Sequence, residues 1–456
     1  MIHDQVELEK AGIPTIQILS HGFEEDAEAS AKAFGLATIK YIVVPKVYRN
    51  LPPDECIAQT DPIIDKLLPA LTTAADGEEY EDAKGKMEDG TLTFEGEDRY
   101  DAFEKMNEAF IQNDWGDAYP LIPPTEDRVE AMLKGTTLDP QDVVCNLPPG
   151  NGVATVEKIA VNATMAGCRP EHLPVVMAAA KALSRMDPTG VRGGLMSTSA
   201  HAPLILVNGP IAKEIGLNWG RCALGPGRAS RVNVVIGRAL VLTLKNVGHW
   251  YPGIMDMDTI GTPRKFSHCV AENEEDSPWE PYHVEQGFPK DASTVTVFIT
   301  AGDKDVGDQG NTKGDALLRT IAYSAIWGGA GHIGSLQGEF DLSPGGGTLV
   351  FIAPAHARPI AQSGYIHKSA IKEFLFNNCT VPARQLTNSY NVPEKVRTQW
   401  KWLYELSPMD QEKIRLPVHR SPERYFIACV GANDRAKDMV FPVGTPSTVE
   451  VEHRAH

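Results

Sequence analysis

The chain opens with a helix that runs straight into a strand. MIHDQVELEK sets Val6 and Leu8 among Asp4, Glu7, Glu9 and Lys10. Gly12 stops the helix, and the β-rich run from Ile13 to Leu19 follows at once. A parallel sheet needs a crossover between neighbouring strands, so this start predicts a sheet whose first strands come from elsewhere. A second helix, EEDAEASAKAFGL, closes at Gly35, and a second strand, IKYIVVP, ends at Pro45. LPPDECIAQTDPIIDKLLPAL adds helical turns punctuated by prolines. Residues 1–72 therefore read as a partial flavodoxin-like α/β unit. In such sheets chemistry sits where strands end and helices begin.

At 456 residues the chain exceeds one typical core. Residues 73–118 read as an acidic linker with one helix, DRYDAFEKMNEAFIQ. Residues 119–456 read as a large α/β domain. Its helices include PPTEDRVEAMLKG, with Thr125 as N-cap, then ATVEKIAVNATMAG and PEHLPVVMAAAKAL. Further helices are expected at GPGRASRVNVVIGRALVLTLKNVG, TKGDALLRTIAYSAIWGG, SAIKEFLFNN and PEKVRTQWKWLYEL. PLILVNGP, STVTVFITA, TLVFIAP and ERYFIACVGA read as strands. Two stretches echo each other: a helix ending in glycine, a loop, an apolar strand, a proline turn and an Ile-Ala start. They are ATVEKIAVNATMAG with PLILVNGPIAKEIG, and TKGDALLRTIAYSAIWGG with TLVFIAPAHARPIAQSG. The pattern suggests a duplicated α/β half.

A net charge of −17 argues against nucleic acid or an anionic membrane as partner. The amino end lacks a signal-like h-region, and no apolar window is long enough to span a membrane. Both point to a cytoplasmic protein. Seven cysteines without a C-x-x-C favour reduced thiols.

The densest chemistry lies in KFSHCVAENEEDSPWEPYHVE, where Cys269, Glu272, Glu275 and His283 are candidate catalytic residues. Crowded carboxylates raise one another's pKa, which suits acid–base work. Ser277, Pro278 and Glu280 fit a capping box at the start of a helix. In RCALGPGRASR, a turn carrying Gly225 and Gly227 ahead of Arg228 and Arg231 suits a carboxylate or phosphate, with Asn208 at a strand end nearby. No glycine pattern for a nucleotide is present. Cys168, Cys222 and Cys269, with His201 or His356, are a speculative ligand set for a metal ion or iron–sulfur cluster.

HDQVELEKAGIPTIQIL, AVNATMAGCRPEHLPVV, LILVNGPIAKEIG, LGPGRASRVNVVIGRA and HCVAENEEDSPWEPYHVE resemble segments of the UGSC-type (seleno)protein family along most of the chain. The first block is also distantly similar to selenoprotein B of glycine and betaine reductases. In the UGSC-type family a Sec-Gly-Ser-Cys or Cys-Gly-Ser-Cys turn precedes the helix that here begins at Met1. No cysteine precedes His3 in this chain. The resemblance implies three alternatives: the turn is supplied by a second polypeptide docked at residues 1–20, it is encoded upstream of an internal Met1, or it has been dispensed with. Under the first, the chain is one subunit of a thiol- or selenol-linked oxidoreductase acting on a small anionic molecule. Glu272 or Glu275 would then be the acid–base group, Arg228 and Arg231 the anchors, and Cys168 and Cys269 nearby thiols. A metal-dependent lyase or hydratase and a non-catalytic binding subunit are the alternatives. Oligomerisation, with itself or the partner, is expected.

Overall fold

The computed structural model describes residues 2–33, 36, 39–45, 51–72, 91–326, 346–388, 394–434 and 436–452. Gly35 and the acidic stretch 73–90 lie outside them. The opening unit is α1 (Ile2–Lys10), β1 (Gln17–Ser20), α2 (Glu24–Ala33), β2 (Tyr41–Val44), α3 (Pro53–Thr60) and α4 (Ile64–Thr72). β1 and β2 pair in parallel, Gln17 opposite Tyr41, with no further strand among the described residues. Val6, Ala31 and Leu36 belong to the same core as the large domain, and Ser30 Oγ donates to Ile254 O (2.9 Å).

α5 (Arg99–Gln112), the helix of the acidic segment, docks on the large domain. Asp98 caps it, and Met106 and Phe110 enter that core. After α6 (Glu126–Leu133) come a hairpin, β3 (Val143–Leu147) and β4 (Gly152–Thr155), then α7 (Val156–Ala166), α8 (Leu173–Ser184) and α9 (Pro188–Leu195). Thr125 precedes α6, but its hydroxyl bonds the Asp127 carboxylate instead of a backbone amide. The chain continues through β5 (Ala202–Asn208), α10 (Pro210–Glu214), α11 (Arg231–Asn246), β6 (Cys269–Ala271), α12 (Tyr282–Glu285), β7 (Thr294–Thr300) and β8 (Lys304–Gly307). Next come α13 (Gly314–Ser324), β9 (Gly347–Ile352), α14 (Pro354–Gln362) and α15 (Lys368–Asn378). A short pair, β10 (Thr380–Pro382) and β11 (Arg415–Pro417), precedes β12 (Tyr425–Cys429), β13 (Lys437–Val443) and β14 (Ser447–Glu450). ALVLTL falls inside α11 and is helical.

The large sheet is mixed, not parallel throughout. Its order is β12-β9-β13-β7-β5-β6, with β14 added to β7 and β8 to β13. β6 runs parallel to β5 and β12 to β9; β5–β7, β9–β13 and β7–β13 are antiparallel. Alternate residues of the six main strands, among them Leu204, Val270, Phe298, Phe351, Phe426 and Phe441, form one inner cluster. The opposite faces lie under α7, α8 and α11 on one half and under α13, α14 and α15 on the other. With both faces covered, β5 and β7 are buried at every position, so the Val/Thr alternation of β7 marks helix side against inner side, not core against solvent.

The repeat read from the sequence has a counterpart in register. A shift of 143 residues carries Thr294 to Lys437 and Gly307 to Glu450. The pairs Thr294–Glu450 and Lys437–Gly307 both exist, as do Val297–Ser447 and Val440–Lys304. Thr300–Val443 maps onto itself. The two halves are thus related by a local twofold through that pair, each lending its last short strand to the other.

One buried pair secures the second half. His356 Nδ1 lies 2.7 Å from Asp438 Oδ2, its Nε2 lies 2.7 Å from the Asp308 carbonyl, and Ala353 N donates to Asp438 Oδ1 (3.0 Å). Burial disfavours the imidazolium, but Asp438 and the carbonyl outweigh it and raise His356 above its ordinary value. Removing either partner strands a buried charge, so His356→Gln or Asp438→Ala should lower stability by about 3–5 kcal/mol. Because the His356 pKa is raised, its contribution is full below the unfolded value and fades as pH rises through the folded one. Urea unfolding at pH 6 and pH 9 should show a larger gap between wild type and His356→Gln at pH 6.

Candidate functional site

Two ends of β5 gather polar groups. At its carboxyl end the edge strands of the sheet meet: Asn273 N donates to Cys429 O (2.7 Å), and Cys429 N donates to Glu272 Oε1 (3.2 Å). Glu272 Oε2 accepts from Tyr282 N and from Asn208 Nδ2, both at 2.6 Å. Lys368, the first residue of α15, reaches Oε1 at 3.4 Å. Glu272 and Lys368 are both buried. The adjacent Glu285 pairs with Lys372. Glu274 Oε1 accepts from Asn208 Nδ2 (2.9 Å) and from Gly209 N (2.8 Å), and His283 Nδ1 stands 3.8 Å away.

Asn208, Glu272 and His283, far apart in sequence, do come together here. Both Glu272 oxygens are taken by fixed donors, so its geometry is that of a brace, not a proton shuttle. Glu275 is on the surface, paired with Lys213 at 2.8 Å. The expected capping box is replaced by a tight turn. Ser277 Oγ accepts from Trp279 N and donates to Trp279 O, Glu280 is exposed, and α12 starts at Tyr282 after Pro281. The Gly225–Gly227 turn does not open α11, which starts at Arg231. The amides of Gly225, Ser230 and Arg231 bond carbonyls within the loop. Arg228 and Arg231 are exposed.

Cys269 is buried in the core shared by α7, α8 and α11, with Cys168 packed against it; burial drives both thiols well above the ordinary range. Cys222 is exposed at a left-handed turn (φ 55°). The expected metal set is not assembled. Among the described residues no three His, Cys, Asp or Glu side chains gather to hold an ion, and both His356 nitrogens face protein acceptors.

The amino end of β5 carries a cluster that the sequence reading missed. Lys265 Nζ lies 2.7 Å from both Asp256 oxygens and 2.7 Å from Asp258 Oδ2, all three side chains nearly buried. Burial raises Asp256. It also opposes the charge on Asp258, but Lys265 and the amides of Gly261 and Ile260 hold that carboxyl down at about 2. His201 stands beside them. Its Nδ1 bonds the Gly194 carbonyl (3.0 Å), fixing the proton there, and Nε2 has no hydrogen-bond partner among the described residues. Burial, with Arg264 and Lys265 nearby, holds His201 below its ordinary value, so the ring is neutral. Arg192 of α9, two residues before that Gly194, pairs with Asp4 in the first turn of α1 (3.2 Å). The WYPGIMDMDT sequence, two aspartates in a Gly/Pro loop, was the signal available.

A UGSC family domain covers residues 1–73. The family model ends there, and the likeness read in the larger segments lies outside its span. No curated protein and no solved structure matches the chain. The UGSC domain is thus the unit that α9 and the 249–262 loop hold against the amino end of β5, through Asp4–Arg192 and Ser30–Ile254. No helix among the described residues is long and apolar enough to cross a membrane.

The two glutamates make a direct contrast. Glu272→Ala removes the acceptor of three donors and leaves Lys368 buried beside a void, a loss of about 3–5 kcal/mol. Glu275→Ala should leave the urea midpoint unchanged. Equilibrium unfolding of both variants checks the assignment.

Proposed function

We propose that this chain is the substrate-handling part of a cytoplasmic thiol- or selenol-linked enzyme acting on a small anionic molecule. The reactive sulfur or selenium comes from a partner polypeptide whose strand joins the open edge of β1. The observation that carries this reading is that α9 holds both the first turn of α1, through Arg192 and Asp4, and His201, through the Gly194 carbonyl. A reactive turn leading into α1 would enter beside the His201 cluster. β5 spans roughly 20 Å between its ends, which puts the turn far from Glu272 and the Gly225–Arg231 loop. The acid–base assignment therefore moves from Glu272 to His201 as base, beside the Asp256–Lys265 ion pair, with Arg192 attracting the substrate anion. The raised values of Cys168 and Cys269 support an external nucleophile, because a buried thiol holds its proton.

The test is anaerobic turnover of small carboxylates by the purified chain, with and without a polypeptide bearing a Cys-Gly-Ser-Cys turn. Turnover should require the polypeptide, and His201→Asn and Asp256→Asn should each lower kcat by about 10²-fold or more. Since the His201 pKa is lowered, kcat should rise through a value below 6.5 and be flat by neutral pH. Turnover by the chain alone that vanishes in Cys222→Ser would overturn the reading. So would a His201→Asn variant with the wild-type pH profile.

A further inference from the structure

The local twofold sets two strand-to-helix turns side by side for comparison. After β9, the backbone amide of Ala353 is capped by a carboxylate, Asp438, and that carboxylate meets an imidazole at 2.7 Å with every polar atom satisfied. After β5, the amide of Gly209 is likewise capped by a carboxylate, Glu274, beside an imidazole, His283. The capping groups come from different places, Asp438 from β13 and His356 from α14 but Glu274 and His283 from the segment after β6, and this turn is not closed. His283 is fully buried, its Nε2 faces the Lys290 carbonyl (3.3 Å), and its Nδ1 has no hydrogen-bond partner among the described residues. Asn208 is 1% exposed, and Oδ1 is likewise unpartnered. Its amide orientation is dictated by chemistry, since Nδ2 must be the atom that faces the Glu272 and Glu274 oxygens. The turn therefore presents an imidazole lone pair, an amide oxygen and a carboxylate, all acceptors. Buried acceptors without donors are costly, and an occupant with several N–H groups removes that cost.

Charge narrows the choice. Glu272 is matched by Lys368, Glu285 by Lys372 and Glu275 by Lys213, which leaves Glu274 as the uncompensated anion beside the turn. Its side chain is 26% exposed, giving access from solvent. We propose that Asn208, Glu274 and His283 bind the primary ammonium group of a small molecule: one positive charge and three N–H donors for three acceptors. The site lies at the far end of β5 from the His201 cluster and does not depend on the redox reading.

Calorimetric titration of the full chain with methylammonium chloride, tetramethylammonium chloride and sodium chloride at equal ionic strength tests it. Methylammonium should bind saturably, and tetramethylammonium, which has the charge but no N–H, should not. Glu274→Gln keeps an acceptor for Gly209 N and should weaken binding about tenfold or more, as should His283→Gln, while Glu275→Gln should not. Should His283→Gln fail to fold, Glu274→Gln decides alone. Equal responses to the three salts, wild-type affinity in folded Glu274→Gln, or Mn²⁺ binding through Glu274 without methylammonium binding would overturn the proposal.

Discussion

The fold depends on one carboxylate. A six-strand path curled until its edges meet needs something to hold β6 against β12, and those edges share few backbone bonds at the junction. Glu272 supplies the tie. Its two oxygens bind the backbone of Cys429 from the second half, the backbone of Tyr282 and the amide of Asn208, with Lys368 of the second half alongside. Taking a carboxylate out of water is unfavourable unless its lone pairs are filled, and here the donors come from four separate segments. Each of those segments is consequently fixed. The Tyr282 amide sets where α12 begins and thus where His283 points. The Asn208 amide, anchored by its nitrogen, has to turn its oxygen away from Glu272.

Duplication gives the molecule two versions of one corner, and their difference is informative. In the second half the histidine is pinned on both sides and serves the structure. In the first half the capping carboxylate is Glu274, from the segment after β6; it is shared with Asn208, and His283 is left 3.8 Å away with a free lone pair. A framework that keeps strand register while side chains diverge allows one copy to secure the fold and the other to retain open valences. The paired exchange of β8 and β14 makes this tolerable, because each half is completed by the other's last strand.

Local signals carried much of the fold: the α-β-α-β start, the buried strands around Leu204 and Val350, and the glycine-terminated helices that mark the repeat. Periodicity says nothing about strand direction, so the antiparallel β7 and β13 and the short strands near them were not legible, and the sheet is mixed. Chemistry was legible in part. Asn208, Glu272 and His283 were picked out by residue type and do meet, but their roles could not be. Whether a carboxylate is a brace or a base depends on donors such as Lys368 and Cys429 N, which lie about 100 and 160 residues away in the chain. The same holds for Ser277, whose capping-box pattern was overruled by Pro281 and the burial of Tyr282. His201 was singled out as a metal ligand, and its neighbours Asp256 and Lys265 come from a loop with no regular pattern.

The UGSC domain sits at one of the two ends of β5. Its apolar residues are continuous with the core under α7, α8 and α11, so the domain and the first half move as one packed body. Asp4 and Ser30 are tied to α9 and the 249–262 loop, at the amino end of β5, while Glu272 and Asn208 mark the other end. In parallel sheets ligands gather beyond the carboxyl ends of strands. In this mixed sheet β7 and β13 end against each other, Thr300 opposite Val443, beside the amino ends of β5 and β9, so both ends of β5 satisfy that rule. The carboxyl end of β7, at Thr300, lies beside Arg264 and Ala200, which border the His201 cluster. The UGSC domain is therefore held beside a strand end where His201, Asp256 and Lys265 gather.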